Sequence, residues 1–177
     1  MLENKFIKIR PVCADDMAQI TAIYAEQVEL GTGSFETVAP SAEVMLERMQ
    51  TTLDKELPYI VLEADGVVMG YAYAGYFHHR TAYNHTLEDS IYLHKDARGK
   101  GYGKLLLKAL IEDVTAKGFR QMVSIIGDSD NVGSIGLHKA CGFEMVGTLK
   151  SVGWKHGKWV DSVYMQLALG KGATTKL

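Results

Sequence analysis

Hydrophobic and polar residues alternate with two different periods along the chain, and these periods predict its secondary structure. The segment Phe6–Arg10 alternates with period two and stops at Pro11, which predicts a strand with one solvated face. Six later segments are rich in β-branched, aromatic and aliphatic residues and predict further strands. These are Tyr59–Glu63, Val67–Phe77, Leu87–Leu93, Gln121–Ile126, Glu144–Gly153 and Lys158–Leu169, the first two joined as a hairpin by Asp65-Gly66 and the last two by the connector 153–157.

Apolar residues that recur every three or four positions predict four helices between these strands. The first follows a cap at Asp15 or Asp16 and ends at Glu29, and the second covers Ala42–Lys55 behind a Ser41 cap. The other two cover 103–117 and 131–141, and the apolar face of the second is predicted to be Val44, Leu46, Met49 and Leu53. The predicted order is βααβββαβαββ, in a single domain of residues 1–169 with a polar C-terminal tail, 170–177.

Composition and charge narrow the class of protein. The 177 residues are 47% hydrophobic and 23% charged, which is typical of one globular domain. A net charge of −2 gives no attraction to polyanions, so we expect no nucleic-acid partner. Charges near the N-terminus argue against a signal peptide, and the longest uncharged run, 66–79, is too short to span a bilayer. We therefore expect no membrane partner and a cytoplasmic location.

Metal and hydrolase chemistry find no support in the sequence. The histidines at 78, 79, 85 and 94 lack the spacing of metal ligands, so we expect no metal. Neither Ser34 nor Ser134 lies in the G-x-S-x-G pattern of a serine hydrolase.

A glycine-rich turn, Arg98–Lys104, joins a predicted strand to a predicted helix, which is where backbone N–H groups can bind an anion. A dinucleotide-binding fingerprint would need glycine at Lys104, and a P-loop would need Ser or Thr at Leu105. The remaining match is R/Q-x-x-G-x-G/A, with Arg98, Gly101 and Gly103. This turn resembles the acyl-CoA pyrophosphate loop of the GCN5-related N-acetyltransferase (GNAT) superfamily.

A second motif strengthens the resemblance. Asn131-x-x-Ser134-x-x-x-His138-x-x-x-Gly142-Phe143 is similar to another GNAT signature, except that His138 replaces a common tyrosine. Within the superfamily, the chain resembles the phosphinothricin and methionine sulfoximine acetyltransferases, in which histidine at this position is usual. This closer resemblance extends from Ile9 to Leu167, and it rests on Phe35-Glu36-Thr37, Arg80-x-Ala82-Tyr83-x-x-Thr86-x-Glu88 and Gly153-Trp154-Lys155-x-Gly157-x-Trp159-x-Asp161.

The resemblance implies an α/β (α+β) GNAT fold, in which helices flank a mixed, mostly antiparallel sheet. It also implies acetyl-CoA as cosubstrate. Acetyl-CoA would be bound by three parts of the chain: main-chain groups of the central strand, the amides and lysine side chains of the glycine-rich turn, and the start of the fourth helix. In this chain these residues are Ile91, Tyr92 and Leu93; Arg98, Gly99, Lys100, Gly101, Tyr102, Gly103 and Lys104; and Asn131 and Ser134.

Two residues are candidates for acid–base chemistry, which acetyl transfer to an amine requires. Glu88 would be the general base, directly or through a water, because partial burial in a cleft raises a carboxyl pKa. Adjacent Asp89 should point to the opposite face of the strand. The alternative for Glu88 is a solvated or ion-paired carboxylate. His138 would protonate the CoA thiolate, and its alternative is a packed, hydrogen-bonded helix histidine.

The resemblance further implies a small amine acceptor, amino-acid-like with an anionic side group, and a homodimer. Its pocket would draw on Phe35, Glu36, Phe77, His78, Arg80 and Tyr83, with the Arg80 guanidinium suited to a carboxylate or phosphinate. Two alternatives stay open. One is the same chemistry on a polyamine, an aminoglycoside or a peptide N-terminus, and the other is a non-catalytic sensor of acyl-CoA.

Overall fold

A computed structural model describes residues 6–176, and its elements follow the order predicted from the sequence. The strands are β1 (Ile7–Pro11), β2 (Tyr59–Ala64), β3 (Val67–Tyr76), β4 (Thr86–Leu93), β5 (Gln121–Gly127), β6 (Glu144–Lys155) and β7 (Lys158–Ala168). The helices are α1 (Met17–Leu30), α2 (Ala42–Leu53), α3 (Tyr102–Ala116) and α4 (Val132–Ala140), with short 3₁₀ turns at Ala14–Asp16, Thr81–Tyr83 and Lys95–Ala97.

The strands form one seven-stranded sheet in the order β1-β2-β3-β4-β5-β7-β6. Every neighbouring pair is antiparallel except β4 and β5, which confirms the predicted mixed, mostly antiparallel sheet. The parallel pair is short, because only Thr86–Asp89 pairs with Gln121–Ser124. Beyond these residues β4 stays paired with β3 and β5 with β7, so a wedge opens between the two central strands.

Two hydrophobic cores cover the two faces of this sheet. Alternate residues of β2 belong to one core or the other, because successive side chains of a strand point to opposite faces of the sheet. Leu62 packs with Leu106 and Leu107 of α3, whereas Val61 packs with Ile20 of α1. The wedge between β4 and β5 therefore lies in a sheet that is covered by a hydrophobic core on each face.

Three local predictions are wrong in part. Asp16 occupies the N-cap position of α1 as predicted, but it makes no side-chain cap bond, because its carboxylate binds Arg10 at 2.7 Å and the Cys13 N–H at 2.9 Å. Of the predicted apolar face of α2, Met49 is buried and Leu53 packs against the core, but Val44 and Leu46 are exposed and Met45 is buried instead. The predicted Ser41 cap is present, with its hydroxyl accepting from the Val44 N–H at 3.4 Å.

The third wrong prediction concerns the last hairpin. β6 continues to Lys155 and pairs Trp154 with Trp159, so the turn contains only His156 and Gly157 instead of the predicted connector 153–157.

Beyond β7, Arg120 donates hydrogen bonds to the Gly172 carbonyl and the Thr175 hydroxyl of the polar tail, each at 3.1 Å. Within residues 6–176, no helix is long and apolar enough to cross a membrane.

Candidate active site

The wedge between β4 and β5 opens into a cavity of about 930 Å³. Distant parts of the chain line it: the end of α1 and the loop after it, the second half of β4, the glycine turn, the end of β5 and the start of α4. Lys158 at the start of β7 also lines it, and its ammonium binds Asp128 at 2.7 Å. Among residues 6–176, no three His, Cys, Asp or Glu side chains are grouped as metal ligands would be.

The glycine turn forms one end of the cavity. Gly99 and Gly101 have φ angles of 74° and 79°, a left-handed conformation that other residues adopt only at a cost. Gly103 packs so closely that an added Cβ would lie 3.0 Å from the Leu93 side chain. Since α3 begins at Tyr102, the first N–H groups of the helix have no intrahelical partner. The local sequence thus places the start of a helix, with free N–H groups that could bind an anion, beside the cavity.

The charged side chains of this turn have separate positions. Lys104 lines the cavity, whereas Lys100 is exposed and lines a neighbouring depression beside Lys95. Arg98 lies 3.2 Å from Glu26 of α1, which ties the turn to the opposite wall. The Tyr102 side chain is buried in the core, so it does not line the cavity.

The second half of β4 forms the floor of the wedge. Ile91, Tyr92 and Leu93 all line the cavity, and their main chain has no β5 partner. The Tyr92 ring packs against Tyr24 and Tyr71, with ring centroids 5.0 and 5.2 Å apart. The main chain of this segment is therefore paired with β3 on one side and free of strand pairing on the side that faces β5.

Glu88 lies on β4 just before the wedge opens, half-buried and lining the cavity. Burial, and then the charge of Asp89, raise the pKa of Glu88 to about 6. Within the described chain its carboxylate has no ion-pair partner. Its cross-strand neighbour is Gly75, where an added Cβ would meet no atom within 4 Å. This open flank leaves the carboxylate room to meet a water or an amine.

His138 lies on α4 with only 1% of its surface exposed. Its Nε2 lies 2.9 Å from Asp89 Oδ2 and its Nδ1 lies 2.8 Å from the Ser134 carbonyl oxygen. Burial alone lowers the pKa of His138, but the hydrogen bond and charge of Asp89 outweigh it, so the pKa is raised. A protonated ring donates from both nitrogens, and this geometry offers an acceptor to each.

Asp89 is a site residue that sequence reasoning missed. It points away from Glu88, as strand alternation predicts, and binds His138 in the buried wall of the cavity. Its Oδ1 is buried and has no hydrogen-bond partner among residues 6–176. The only signal in the sequence was its place next to Glu88, because the partner helix lies 49 residues further along the chain.

The comparisons with known proteins identify the family. A family model described as "Acetyltransferase (GNAT) domain" matches residues 9–164. The chain belongs to this family. It is 50% identical over 167 residues to the "Phosphinothricin N-acetyltransferase" of Alcaligenes faecalis, covering 94% of this chain and 85% of that protein. It is 39% identical over 166 residues to the "L-methionine sulfoximine/L-methionine sulfone acetyltransferase" of Pseudomonas aeruginosa, covering 91% and 94%.

A solved GNAT structure is also closely similar. The crystal structure of a GNAT superfamily phosphinothricin acetyltransferase from Sinorhizobium meliloti in complex with AcCoA has 46% sequence identity to this chain. It superposes with a TM-score of 0.93, covering 96% of this chain and 92% of that one. The family predicted from the two sequence motifs is confirmed.

Most of the predicted cofactor residues of this GNAT domain lie together around the wedge, but Lys100 and Tyr102 do not line the cavity, and the side chain of Asn131 is already hydrogen-bonded. Asn131 is engaged as the cap of α4, since its Oδ1 accepts from the Ser134 N–H at 3.2 Å and its Nδ2 donates to the Gly127 carbonyl at 3.4 Å. Ser134 lines the cavity, with its hydroxyl 3.4 Å from His138 Nδ1. Lys100 and the Tyr102 side chain, as described above, lie outside the cavity.

The predicted acceptor residues do not lie together. Phe35 lines the cavity, and Glu36 binds Arg48 at 2.7 Å. The other four occupy the β3–β4 loop outside the cavity lining, where three rings pack together and Arg80 is exposed: Phe77, His78, Arg80 and Tyr83. Sequence reasoning missed Thr32, Asp128 and Lys158, which do line the cavity.

Proposed function

We propose that this GNAT protein transfers the acetyl group of acetyl-CoA to the amine of a small amino-acid-like acceptor such as phosphinothricin or methionine sulfoximine. The observation that carries the proposal is the half-buried Glu88, with a pKa of about 6, in the same cavity as the glycine turn. The names of the similar proteins from Alcaligenes faecalis and Pseudomonas aeruginosa support the acceptor class.

The cavity residues fit acetyl-CoA. The left-handed glycines and the start of α3 suit its phosphates, with Lys104 adding positive charge. The main chain of Ile91–Leu93, which is unpaired on its β5 side, suits the amide-rich arm of acetyl-CoA, and a backbone N–H of this segment would stabilise the reacting carbonyl oxygen. When bound, acetyl-CoA supplies an activated acetyl group and a leaving thiolate that needs a proton.

Glu88 is assigned the role of general base. An amino group is protonated at neutral pH and is not nucleophilic in that form, so a proton must leave it before or during transfer. With a pKa of about 6, the carboxylate of Glu88 is ionised at pH 7 and can take that proton, directly or through a water. Its lack of an ion-pair partner in residues 6–176 supports this role over a structural one.

The role of His138 as acid stays a prediction. Its raised pKa supports a protonated ring beside the cavity. Both of its nitrogens already have hydrogen-bond partners, so donation to a thiolate requires one N–H to leave Asp89 or the Ser134 carbonyl. Acetyl transfer by His138→Ala decides between this role and a purely packed histidine.

The homodimer is also proposed. Edge strand β6 and the start of β7 expose a set of large apolar side chains: Met145, Val146, Leu149, Val152, Trp154 and Trp159. Trp154 and Trp159 are 59% and 63% exposed, and burying such rings is a strong driving force for association. Sedimentation at several concentrations should give twice the chain mass, and a monomer at all concentrations would refute the dimer. The cytoplasmic location stays a prediction.

The test of the proposed function is thiol release from acetyl-CoA with a panel of amines. The panel contains phosphinothricin, methionine sulfoximine, ordinary amino acids, polyamines, aminoglycosides and a peptide with a free N-terminus. We expect turnover with the first two compounds and little with the polycations. Turnover confined to polyamines, aminoglycosides or the peptide would overturn the acceptor class, and acetyl-CoA binding without any turnover would indicate a sensor.

A further inference from the structure

Lys155, near the tip of the β6–β7 hairpin, is a buried lysine. Only 3% of its surface is exposed, and it has no ion pair among residues 6–176. Buried lysines are uncommon because an ammonium loses its hydration, and here burial lowers the pKa of Lys155. The ammonium instead donates to the Ser34 carbonyl oxygen at 2.6 Å and lies 3.5 Å from that of Gln27.

The Gln27 carbonyl belongs to the last turn of α1, where it also accepts from the Gly31 N–H at 3.2 Å, and the Ser34 carbonyl belongs to the loop that follows α1. A cation at the C-terminal end of a helix also interacts favourably with its dipole. His156 adds a second bond from the same hairpin, with its Nε2 3.1 Å from the Gly31 carbonyl oxygen. The hairpin therefore holds the segment 31–36, called here the acceptor loop, by two side chains more than 120 residues away.

The acceptor loop lines the cavity next to the proposed reaction centre. Residues 31–35 all belong to the cavity wall, as does Glu88. Two glycines receive the loop at close range: a Cβ added to Gly153 would overlap the Phe35 ring, and one added to Gly127 would overlap the Thr32 carbonyl. The loop thus lies directly on the ends of β5 and β6, at a position set by the hairpin.

We infer that Lys155 is a positioning residue for the amine acceptor, which it places by holding the acceptor loop and Phe35 against the cavity. The inference rests on the proposed function, because it assigns the acceptor to this half of the cavity. It makes the pocket depend on a residue that itself touches no acceptor, and it leaves the acetyl-CoA half independent of Lys155.

The main test is Lys155→Met, which keeps the length and volume of the side chain and removes its N–H donors. We expect the acceptor KM to rise about tenfold, as a displaced binding loop would cause, with the acetyl-CoA KM unchanged within about twofold. Lys155→Arg, which keeps a donor, should recover part of the loss. A brace with no role in positioning would lower the melting temperature and leave both KM values unchanged.

Two further variants keep the inference falsifiable if Lys155→Met folds poorly. His156→Ala removes an exposed side chain and should raise the acceptor KM by about twofold. Lys150→Met, an exposed lysine of the same strand with only an ion pair to Asp161, is the matched control and should leave both KM values unchanged.

Hydrogen exchange separates this inference from the proposed function. Amides of the acceptor loop should exchange faster in Lys155→Met than in the wild type, while those of α3 and α4 stay the same. If the wild type acetylates no amino-acid acceptor, the proposed function fails, and unchanged exchange in the acceptor loop would still overturn the positioning role. An acetyl-CoA KM that rises as much as the acceptor KM would overturn it too.

Discussion

The two halves of the cavity are built in different ways. The half proposed for acetyl-CoA consists of short, continuous segments: Ile91–Leu93 of β4, the turn 98–104 and the first turns of α4. The acceptor half is assembled from the acceptor loop, the end of β5 and the β6–β7 hairpin, and long-range contacts such as that of Lys155 with Ser34 hold it together. A binding site made of local structure leaves a motif in the sequence, whereas one made of tertiary contacts does not.

The largest expected effect is at Glu88, where the two halves meet. Glu88→Gln should lower kcat/KM about a thousandfold with acetyl-CoA affinity unchanged, because it removes the general base alone. In the wild type, kcat/KM should rise with pH through about 6 as Glu88 loses its proton, and the variant should lack this rise. Glu47→Gln, on the exposed face of α2, is the control. A variant as active as the wild type at every pH would exclude Glu88 as the base.

The next effect is on stability, at the wall behind the acetyl-CoA half. His138→Ala should lower the free energy of unfolding by about 3 kcal/mol at about pH 6, because it leaves Asp89 buried without its partner. Because the folded state raises the pKa of His138, the ion pair of His138 with Asp89 stabilises the fold fully below the unfolded-state pKa of about 6.5. This stabilisation is lost as pH rises through the higher folded-state pKa.

Urea unfolding at about pH 6 and about pH 9 measures this difference. The gap between the wild type and His138→Ala should shrink at the higher pH, leaving the pH-independent cost of the lost packing. Lys139→Ala, at the next and exposed position of α4, should show no such change. An equal gap at both pH values would mean that His138 is neutral in the folded protein.

A smaller effect should be confined to the acetyl-CoA half. Gly101→Ala forces a side chain into a left-handed conformation, at a cost of about 1–2 kcal/mol, so the acetyl-CoA KM should rise about tenfold. The acceptor KM should not change. Gly136→Ala, in the middle of α4 with open space around it, should instead stabilise the protein by about 0.5–1 kcal/mol. Equal changes in the two KM values for Gly101→Ala would show that the halves are not independent.

The smallest effect is expected at the β3–β4 loop, which lies outside the cavity lining. Arg80→Ala should raise the acceptor KM about fivefold and leave the acetyl-CoA KM unchanged, since an exposed charge contributes up to about 1 kcal/mol. Steady-state kinetics with each substrate varied in turn measures both values. Because Arg80 lies outside the cavity lining of this chain, an unchanged acceptor KM would remove the β3–β4 loop from the acceptor site.

The sequence by itself determined the order of the elements and the family, and it predicted the residues of the half proposed for acetyl-CoA. Periodicity identifies a strand or a helix because it reflects which face of the element is buried. Gly99 and Gly101 are needed for the left-handed backbone of the turn itself, and this local requirement does not depend on the rest of the chain. Glu88 was predicted from a family motif, and its half-buried position, with no ion pair among residues 6–176, agrees with a base.

Only the tertiary structure decided the partners. Asp89 binds His138, and Asp16 binds Arg10 instead of making a side-chain cap bond to α1. Buried Lys155 donates to the carbonyl oxygen of Ser34, 121 residues earlier in the chain. Of the predicted acceptor residues, the fold placed Phe35 in the cavity wall and left Phe77, His78, Arg80 and Tyr83 outside it. Hydrogen bonds and ion pairs depend on distances between elements, and these distances are set by how the whole sheet packs, which no local pattern encodes.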